Sequence, residues 1–311
     1  PAQSGYWGAY PSRLANESVT WETSEQTNIG IDARFLKSRL SLTADFYIKT
    51  TKDWLVEAPI LATAGTGAPF INGGDVKNTG FELALTWNDQ AGKDFNYNIG
   101  VNGAYNKNKV GNIPTEDGII HGKINMLYDN TPEFYRAQNG HAIGYFWGYE
   151  TAGIFQNQQE IDDWIAAKNG VLQSDVKPGD VKYRDLNGDE EITSDDQTII
   201  GNPTRPAYTF GLNYGINYKG FFLTMNWTGA AQRSLLLDGA FREPFGNGKI
   251  RGLMQFHADT RWTPETANTA TTPRFTETNA VYNMRSSSLW VRDGSYLKLK
   301  NVTIGYNFTD K

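Results

Sequence analysis

The sequence predicts an all-β fold, a transmembrane antiparallel β-barrel segment of about seven strands, from three observations. Stretches of about ten residues alternate apolar and polar side chains, the connections between them are alternately short and long, and aromatic residues gather near the strand ends. Side chains along a strand point to opposite faces in turn, so each stretch has one apolar and one polar face. The predicted strands are 27–36, 40–51, 81–88, 95–106, 208–218, 221–231 and 296–308.

The two faces predict two environments. In the first strand Ile29, Ile31 and Phe35 share a face, whereas Asp32 and Arg34 lie on the other. We expect apolar faces to contact lipid and polar faces to line a hydrated interior. The apolar row that must meet hydrocarbon contains Leu83, Leu85, Leu212 and Leu223. The polar positions expected inside are Asp32, Arg34, Asp45, Glu82, Asn213 and Asn217.

The last predicted strand changes phase partway along. Leu297 and Leu299 share one parity, but Val302 and Ile304 share the other. One extra residue restores the register, so the sequence predicts a β-bulge near Asn301.

The connection lengths predict the topology. Turns at 37–39, 89–94 and 219–220 lie at one end, and the connections 52–78, 107–206 and 232–295 lie at the other. In outer-membrane barrels the short turns are periplasmic and the long loops extracellular. Only one strand-like run, 144–155, lies within 107–206, so we expect a large extracellular loop without a membrane crossing.

Aromatic residues near both strand ends match the girdles that barrels place at the lipid headgroups. The pattern alone leaves one structural alternative, a soluble β-sandwich in which the apolar faces form a core between two sheets. Sandwich strands are usually nearer five or six residues, so the predicted lengths favour the barrel.

Composition narrows the functional classes. The 311 residues include no cysteine, which excludes disulfides and cysteine metal sites, and the net charge of -5 argues against nucleic acid as a partner. A mean hydropathy of -0.53 excludes a bundle of membrane-spanning helices. Residues 1–10 lack the features of a signal peptide, and seven antiparallel strands cannot close a barrel. We therefore expect a segment of a longer protein.

An EF-hand-like loop at 185–196 predicts a structural calcium site. Oxygen ligands are expected at loop positions one, three, five, seven and twelve. These positions hold Asp185, Asn187, Asp189, Glu191 (through its backbone carbonyl) and Asp196. Two residues depart from the motif, because Glu190 replaces its glycine and Asp196 replaces its final glutamate. The alternative is a solvated acidic turn.

A short helix is predicted at about residues 158–168 of the same loop. Asn157 and Glu160 have the spacing of a capping box, and an apolar stripe follows them. Three aromatic residues, Trp147, Tyr149 and Trp164, are candidates for stacking on a bound sugar. The alternative is that they pack the loop.

The sequence favours no enzymatic site. His121, His141 and His257 lack metal-ligand spacing, and we expect each to face solvent in a loop. Ser295 and Lys298 match a Ser-x-x-Lys spacing, but three residues apart on a strand means opposite faces.

Four motifs follow one another along the chain. They are N-G-G-D-V-K-N-T-G-F-E at 72–82, G-Y-F-W-G-Y-E-T-A-G-I-F at 144–155, G-D-V-K-Y-R-D-L-N-G-D at 179–189 and D-G-S-Y-L-K-L-K-N-V-T-I-G-Y at 293–306. In content and order they resemble the SusC-type, TonB-dependent nutrient transporters of the Bacteroidota outer membrane.

The resemblance implies a plugged barrel of about 22 strands. This chain then supplies a C-terminal part, and the plug domain and the TonB-contacting segment lie outside it. It further implies active import of oligosaccharides or peptides, with a SusD-like surface lipoprotein, the TonB complex and outer-membrane lipid as partners in a Gram-negative bacterium. Two functional alternatives are a passive outer-membrane channel and a secreted calcium-binding, carbohydrate-binding β module.

Overall fold

The computed structural model describes residues 9, 11–58, 60, 62–124, 126, 132–171, 175–242, 244–245, 252–276 and 280–308. Most of residues 1–10, where no signal peptide is expected, therefore lie outside the described residues. The strands, in chain order, are β1 (Thr23–Phe35), β2 (Leu40–Lys52), β3 (Leu55–Glu57), β4 (Phe70–Asn72), β5 (Asp75–Ala91), β6 (Phe95–Gly111), β7 (Ile119–His121), β8 (Tyr135–Gln138), β9 (Tyr145–Tyr149), β10 (Thr151–Ile154), β11 (Val181–Tyr183), β12 (Gln197–Gly201), β13 (Tyr208–Tyr218), β14 (Phe221–Ala231), β15 (Ser234–Leu236), β16 (Val291–Asp293) and β17 (Tyr296–Tyr306). The α-helices are α1 (Gln158–Ala166), α2 (Gln255–Thr260) and α3 (Ala280–Asn283), and 3-10 turns lie at Ala62–Ala64, Ser194–Asp196 and Gly239–Phe241. None of the described helices is long and apolar enough to cross a membrane.

Seven long strands form one antiparallel sheet in the order β1-β2-β5-β6-β13-β14-β17, which we call the wall. This confirms the predicted strands and their pairing by short turns. Lys219 and Gly220 both have positive φ, 47° and 88°, as a two-residue type I′ hairpin between β13 and β14 requires. β5 and β6 are longer than predicted, because their pairing continues to Asp75 and Gly111.

The predicted bulge in the last strand is confirmed. Asn226 pairs with Asn301, but the next residue, Trp227, pairs with Leu299, so Lys300 is the extra residue. The shift keeps Leu297 and Leu299 on the same face as Val302 and Ile304, and both halves of β17 therefore present apolar side chains to one side.

One face of the wall is apolar and open to its surroundings. Ile29 is 66% exposed and Ile304 is 76% exposed, at the two edge strands. None of the four leucines in the row that must meet hydrocarbon is buried: Leu85 and Leu212 are exposed, and Leu83 and Leu223 are partly exposed. No second described sheet covers this face, so the sandwich alternative is wrong for the wall.

Aromatic rings border the apolar face at two levels. At the short-turn end Phe95 contacts Tyr97 and Tyr218, and at the other end Tyr105 contacts Tyr208 with ring centroids 4.7 Å apart. Tyr105 follows Phe95 on β6 by about ten residues, a length of about 33 Å at about 3.3 Å per residue. A tilt of about 40° reduces this to about 25 Å along the membrane normal, the height of the apolar band of outer-membrane barrels.

The connection 107–206 begins with the end of β6 but adds no further strand to the wall, because β13 pairs directly with β6. The prediction of one strand-like run in it was wrong in detail. β9 and β10 share that run and belong to different sheets, and β7, β8, β11 and β12 lie in the same connection. These strands contain three to five residues each, too short for an alternation to be recognised.

The orientation of the wall can be tested at Leu85, which pairs with Val101 midway between the two aromatic levels. Leu85→Lys places a charge in the middle of the apolar band and is expected to cost about 2 to 4 kcal/mol of folding free energy. Thr86→Lys, at the same depth on the polar face, should cost much less. The measurement is urea unfolding of the full-length protein in lipid vesicles, and equal losses for both variants would contradict the assignment of the faces.

Candidate functional site

Acidic side chains lie on the polar face of β1, β2 and β5. Asp45 and Glu82 are directly opposite each other on β2 and β5, and Asp32 accepts a hydrogen bond from the Thr43 hydroxyl at 2.7 Å. An ideal Cβ on Gly30 would lie 2.3 Å from Asp45 Oδ1, so glycine leaves the room that this carboxylate occupies. The Asp45 carboxylate therefore lies close to the backbone of β1.

Uncharged amides dominate the polar face of β6, β13, β14 and β17. Asn213, Asn226 and Asn301 are consecutive partners across β13, β14 and β17. Asn98 and Asn102 lie over Gly215 and Gly211, where an ideal Cβ would meet their Oδ1 atoms at 2.3 and 2.6 Å. An amide offers both donors and acceptors, so this surface can hydrogen-bond water, sugar hydroxyls or peptide groups alike.

Two connections fold together at one end of the wall. The first runs through 112–207 and the second through 232–295, and we call their described residues the cap. The shared core consists of Tyr149, Phe155, Ile161, Val176, Val181, Tyr183, Ile192 and Tyr282. Only the last of these comes from the second connection, but the backbone also links the two, because Tyr149 N–H donates to Ser286 and Ser288 N–H donates to Tyr149.

A buried ionic network joins the two connections. Asp180 is fully buried and accepts hydrogen bonds from Arg274 Nε at 2.8 Å and Asn283 Nδ2 at 2.9 Å. Asn283 Oδ1 in turn accepts from Val181 N–H at 3.0 Å. A buried carboxylate without such partners is costly, so the network fixes the position of one connection against the other.

Tyr183 and Tyr282 extend the network through their hydroxyl groups. Tyr183 donates to the carbonyl of Tyr282 at 2.6 Å, and Tyr282 donates to the carbonyl of Val181 at 2.8 Å. Burial raises the pKa of Tyr282, with the Asp180 carboxylate adding to the effect, so this phenol keeps its donor proton. No local sequence pattern indicates this network, because its partners are about a hundred residues apart.

The three predicted stacking aromatics all have packing partners. Tyr149 is 4% exposed and packs on Tyr183 at 5.3 Å, so neither of its ring faces is open to a solute. The Arg136 guanidinium lies 3.7 Å from the centroid of the Trp147 ring. Trp164 is on the predicted helix, found at Gln158–Ala166, and donates through Nε1 to Gly170. Tyr149 therefore belongs to the packing of the loop, whereas Trp147 and Trp164 are partly exposed.

The residues of the predicted calcium site come together in one loop. Carboxylate oxygens of Asp185, Asp189 and Asp196 lie within 4.8 Å of one another. Glu190, at the position where the motif has glycine, has a φ of 69° and so adopts the left-handed conformation that the turn needs. Asn187 donates to Asp189 at 2.9 Å. The donor set of hard oxygen atoms fits calcium.

Backbone donors hold the carboxylates of this loop. Burial alone raises the pKa of Asp185, but the N–H groups of Gly188 and Glu190 stabilise the anion and bring the pKa below its ordinary value. Asp196 is buried and accepts from Leu186 N–H and Thr193 N–H, both at 2.7 Å. Glu191 N–H donates to Asp189 Oδ1 at 2.9 Å. The loop is thus shaped by the side chains predicted as ligands.

One of the histidine predictions was wrong. His257 lies on α2 rather than in a loop and is 1% exposed, with Nε2 3.0 Å from the carbonyl oxygen of Phe241. Burial lowers its pKa, which keeps the ring neutral. His121 ends β7 rather than lying in a loop, but it is exposed beside Glu133 and Asp117. His141 is exposed in a loop, as expected.

The chain is similar to known proteins over almost its whole length. The family model described as TonB dependent receptor-like, beta-barrel, matches residues 2–311. TonB-dependent receptor P3 of Formosa agariphila is 31% identical over 309 residues, which cover 97% of this chain and 29% of that protein. TonB-dependent receptor SusC of Bacteroides thetaiotaomicron is 23% identical over 309 residues, which cover 99% of this chain and 28% of that protein.

A solved structure shares the fold. The structure of the RagAB peptide transporter superposes with a TM-score of 0.70 at 22% identity, over 94% of this chain and 30% of that chain. At this identity the match concerns the fold alone. The chain spans less than a third of the length of these relatives.

The ionic network of the cap can be tested at Arg274. Arg274→Gln leaves Asp180 buried without its cation and is expected to destabilise the cap by about 3 to 5 kcal/mol. Arg184→Gln is the control, because its ion pair with Glu150 is exposed, at 3.4 Å, and such pairs contribute less than about 1 kcal/mol. Amide hydrogen exchange of 176–183 and 282–290 measures the effect, and unchanged protection in Arg274→Gln would contradict the role given to the network.

Proposed function

Because the chain belongs to the TonB-dependent receptor β-barrels and lies in the outer membrane, we propose that it forms part of the wall and the outer cap of an active importer of oligosaccharides or peptides. The observation that supports this proposal best is the wall. Its apolar face is exposed between two aromatic levels, and its opposite face carries carboxylates and amides. Such a wall separates lipid from a hydrated path.

The remainder of the barrel, the plug and the TonB-contacting segment belong to the longer protein in this proposal. Opening of the plug by the TonB complex would supply the energy of transport. The cap would lie outside the cell, because long connections of outer-membrane barrels are extracellular. There it would meet a SusD-like surface lipoprotein, a partner that we propose because of the relationship to SusC.

The amide-rich face does not discriminate between a sugar and a peptide, because amide groups can hydrogen-bond to either. One solved structure with this fold is named a peptide transporter, and one curated relative is SusC. We therefore propose hydrophilic oligomers as the substrate class and use both kinds of probe in the test.

Energy coupling distinguishes the proposed importer from a passive channel. Cells that produce the full-length protein in a deletion background are given labelled oligopeptides or labelled neutral oligosaccharides, with or without a protonophore. Uptake of at least one probe is expected to fall to the level of the deletion strain when the proton-motive force is removed. Uptake that continues unchanged would support a passive channel and refute active import.

We further propose that the loop 185–196 binds a structural Ca²⁺ ion. Asp185, Asp189 and Asp196 would supply carboxylate oxygens, Asn187 its side-chain oxygen and Glu191 its backbone carbonyl. The support is the clustering of three carboxylates within 4.8 Å and the left-handed Glu190 at the sixth position. The ion would hold together a part of the cap that has only a small hydrophobic core.

Calcium dependence of cap stability tests this site. Millimolar Ca²⁺ is expected to raise the melting temperature of the cap in the purified protein, as measured by amide exchange of 185–196 on heating, because a ligand that binds only the folded state stabilises it. Asp185→Asn should abolish the gain. The control is Asp195→Asn, since Asp195 is exposed and outside the carboxylate cluster. No gain for the unmodified protein would refute the proposal.

A further inference from the structure

Three lysines gather on the lipid side of the wall, just beyond its aromatic border. Lys77 on β5 is directly opposite Lys109 on β6, and Lys107 is opposite Thr79 two residues closer to the membrane. All three share the parity of Phe81 and Tyr105, so they lie on the apolar face rather than on the polar one. Like charges directly opposite on neighbouring strands repel each other, and this pair therefore destabilises the wall by itself.

No described carboxylate forms an ion pair with these lysines. Asp75, which shares the face of Lys77 on β5, accepts instead from Asp53 N–H at 3.3 Å and from Asn112 Nδ2 at 2.5 Å. No described ion pair includes Lys77, Lys107 or Lys109, and all three are exposed. The ion pair between Lys52 and Glu25, on the neighbouring strands β2 and β1, does not involve these lysines. In a chain with a net charge of -5, a cationic cluster without an acidic partner points to a counter-charge from another molecule.

A cleft adjoins the lysines, and basic side chains line it as well. Its volume is about 340 Å³, and it lies between the upper part of β6 and the segment that leads into β13. Lys107, Lys109, Arg205 and His141 line it together with five amide side chains, and no Asp or Glu lines it. The cleft therefore offers hydrogen-bond donors and positive charge in one place, which suits an anion with several acceptor oxygens.

The backbone adds a donor to the cleft. Asn106 N–H donates to Ala207 at 2.8 Å, and Val110 N–H donates to His141 at 2.8 Å, both at the same edge of β6. By the alternation of a strand, Asn108 N–H between them points the same way, into the gap that forms the cleft.

The depth of the cluster indicates the kind of anion. The ring of Tyr105 packs on Tyr208 at the upper aromatic level and also lines the cleft. Such rings lie at the height of the lipid headgroups. Lys107 and Lys109 follow by two and four residues, about 5 and 10 Å further along the membrane normal for tilted strands. Phosphates of membrane lipids lie at this height.

We propose that Lys77, Lys107 and Lys109, with Arg205 at the adjoining cleft, bind a phosphate group of a phosphorylated glycolipid in the outer leaflet. The phosphate would lie between the opposed lysines and replace their repulsion by attraction. The assignment to the outer leaflet rests on the proposed orientation of the transporter, with its long connections outside. A test of lipid binding and a test of substrate uptake can fail independently, so the two proposals are distinguishable.

The test uses the full-length protein in a neutral detergent. Native mass spectrometry measures its binding of bisphosphorylated lipid A and of the same lipid A after enzymatic removal of both phosphates. The protein is expected to bind the phosphorylated form at least ten times more tightly. The variant Lys77→Gln/Lys107→Gln/Lys109→Gln should lose that preference. The control is Lys49→Gln, because Lys49 pairs with Asn78 at a similar height but on the polar face.

Inorganic phosphate distinguishes a lipid site from a site for free anions. At 10 mM, a concentration about that of cellular buffers, it should leave lipid A binding within about twofold if acyl chains against the wall contribute to affinity. Complete displacement would overturn the lipid assignment. Equal binding of both lipids, or a triple variant that keeps the preference, would overturn the proposal.

Stability provides a second measurement that does not depend on lipid affinity. In lipid-free detergent, Lys109→Gln is expected to melt at the same temperature as the unmodified protein or higher, because it removes the repulsion with Lys77. Added phosphorylated lipid A should then stabilise the unmodified protein more than the variant. A destabilised Lys109→Gln in both conditions would show that the lysine has a structural role within the wall, and would overturn the proposal.

Discussion

The structure depends on one constraint: every backbone N–H and C=O group within hydrocarbon needs a partner, because lipid supplies none. The wall meets this constraint for its five inner strands by pairing each of them with a neighbour on both sides. The edge strands β1 and β17 each pair on one side only among the described residues. Their free edges require further strands, and this is why the wall is part of a larger barrel rather than a finished sheet.

Alternation and register follow from the same constraint. A strand that crosses lipid must keep all its apolar side chains on one side over its whole length, and a slip of one residue would turn every one of them inward. The bulge at Lys300 shows how strictly this holds, since an added residue in β17 is absorbed locally while Leu297 and Ile304 stay on the same face. The cap is free of this constraint, so its strands can be short and its core can include charges such as Asp180.

The difference between wall and cap also explains what the sequence could predict. Wall strands carry their structure in a local period-two pattern, and β13 and β14 begin and end where that pattern does. The loop 185–196 is local too, so the spacing of Asp185, Asp189 and Asp196 predicted their clustering. His257 and Tyr149 are buried through contacts with Phe241 and Tyr183, which lie 16 and 34 residues away along the chain. No local pattern carries such contacts.

Two cross-strand pairs of the wall carry like charges rather than opposite ones, and both have the same explanation. Asp45 is opposite Glu82 on the polar face, and Lys77 is opposite Lys109 on the other face. A sheet stabilised only by its own residues would place unlike charges opposite each other. Repulsion inside the barrel is screened by the water of a hydrated path. At the headgroup level, the phosphate of the proposed lipid site would supply the counter-charge of the lysines. In the two proposals, each like-charged pair is completed by something outside the wall's own sequence, water and solute on one face and membrane lipid on the other.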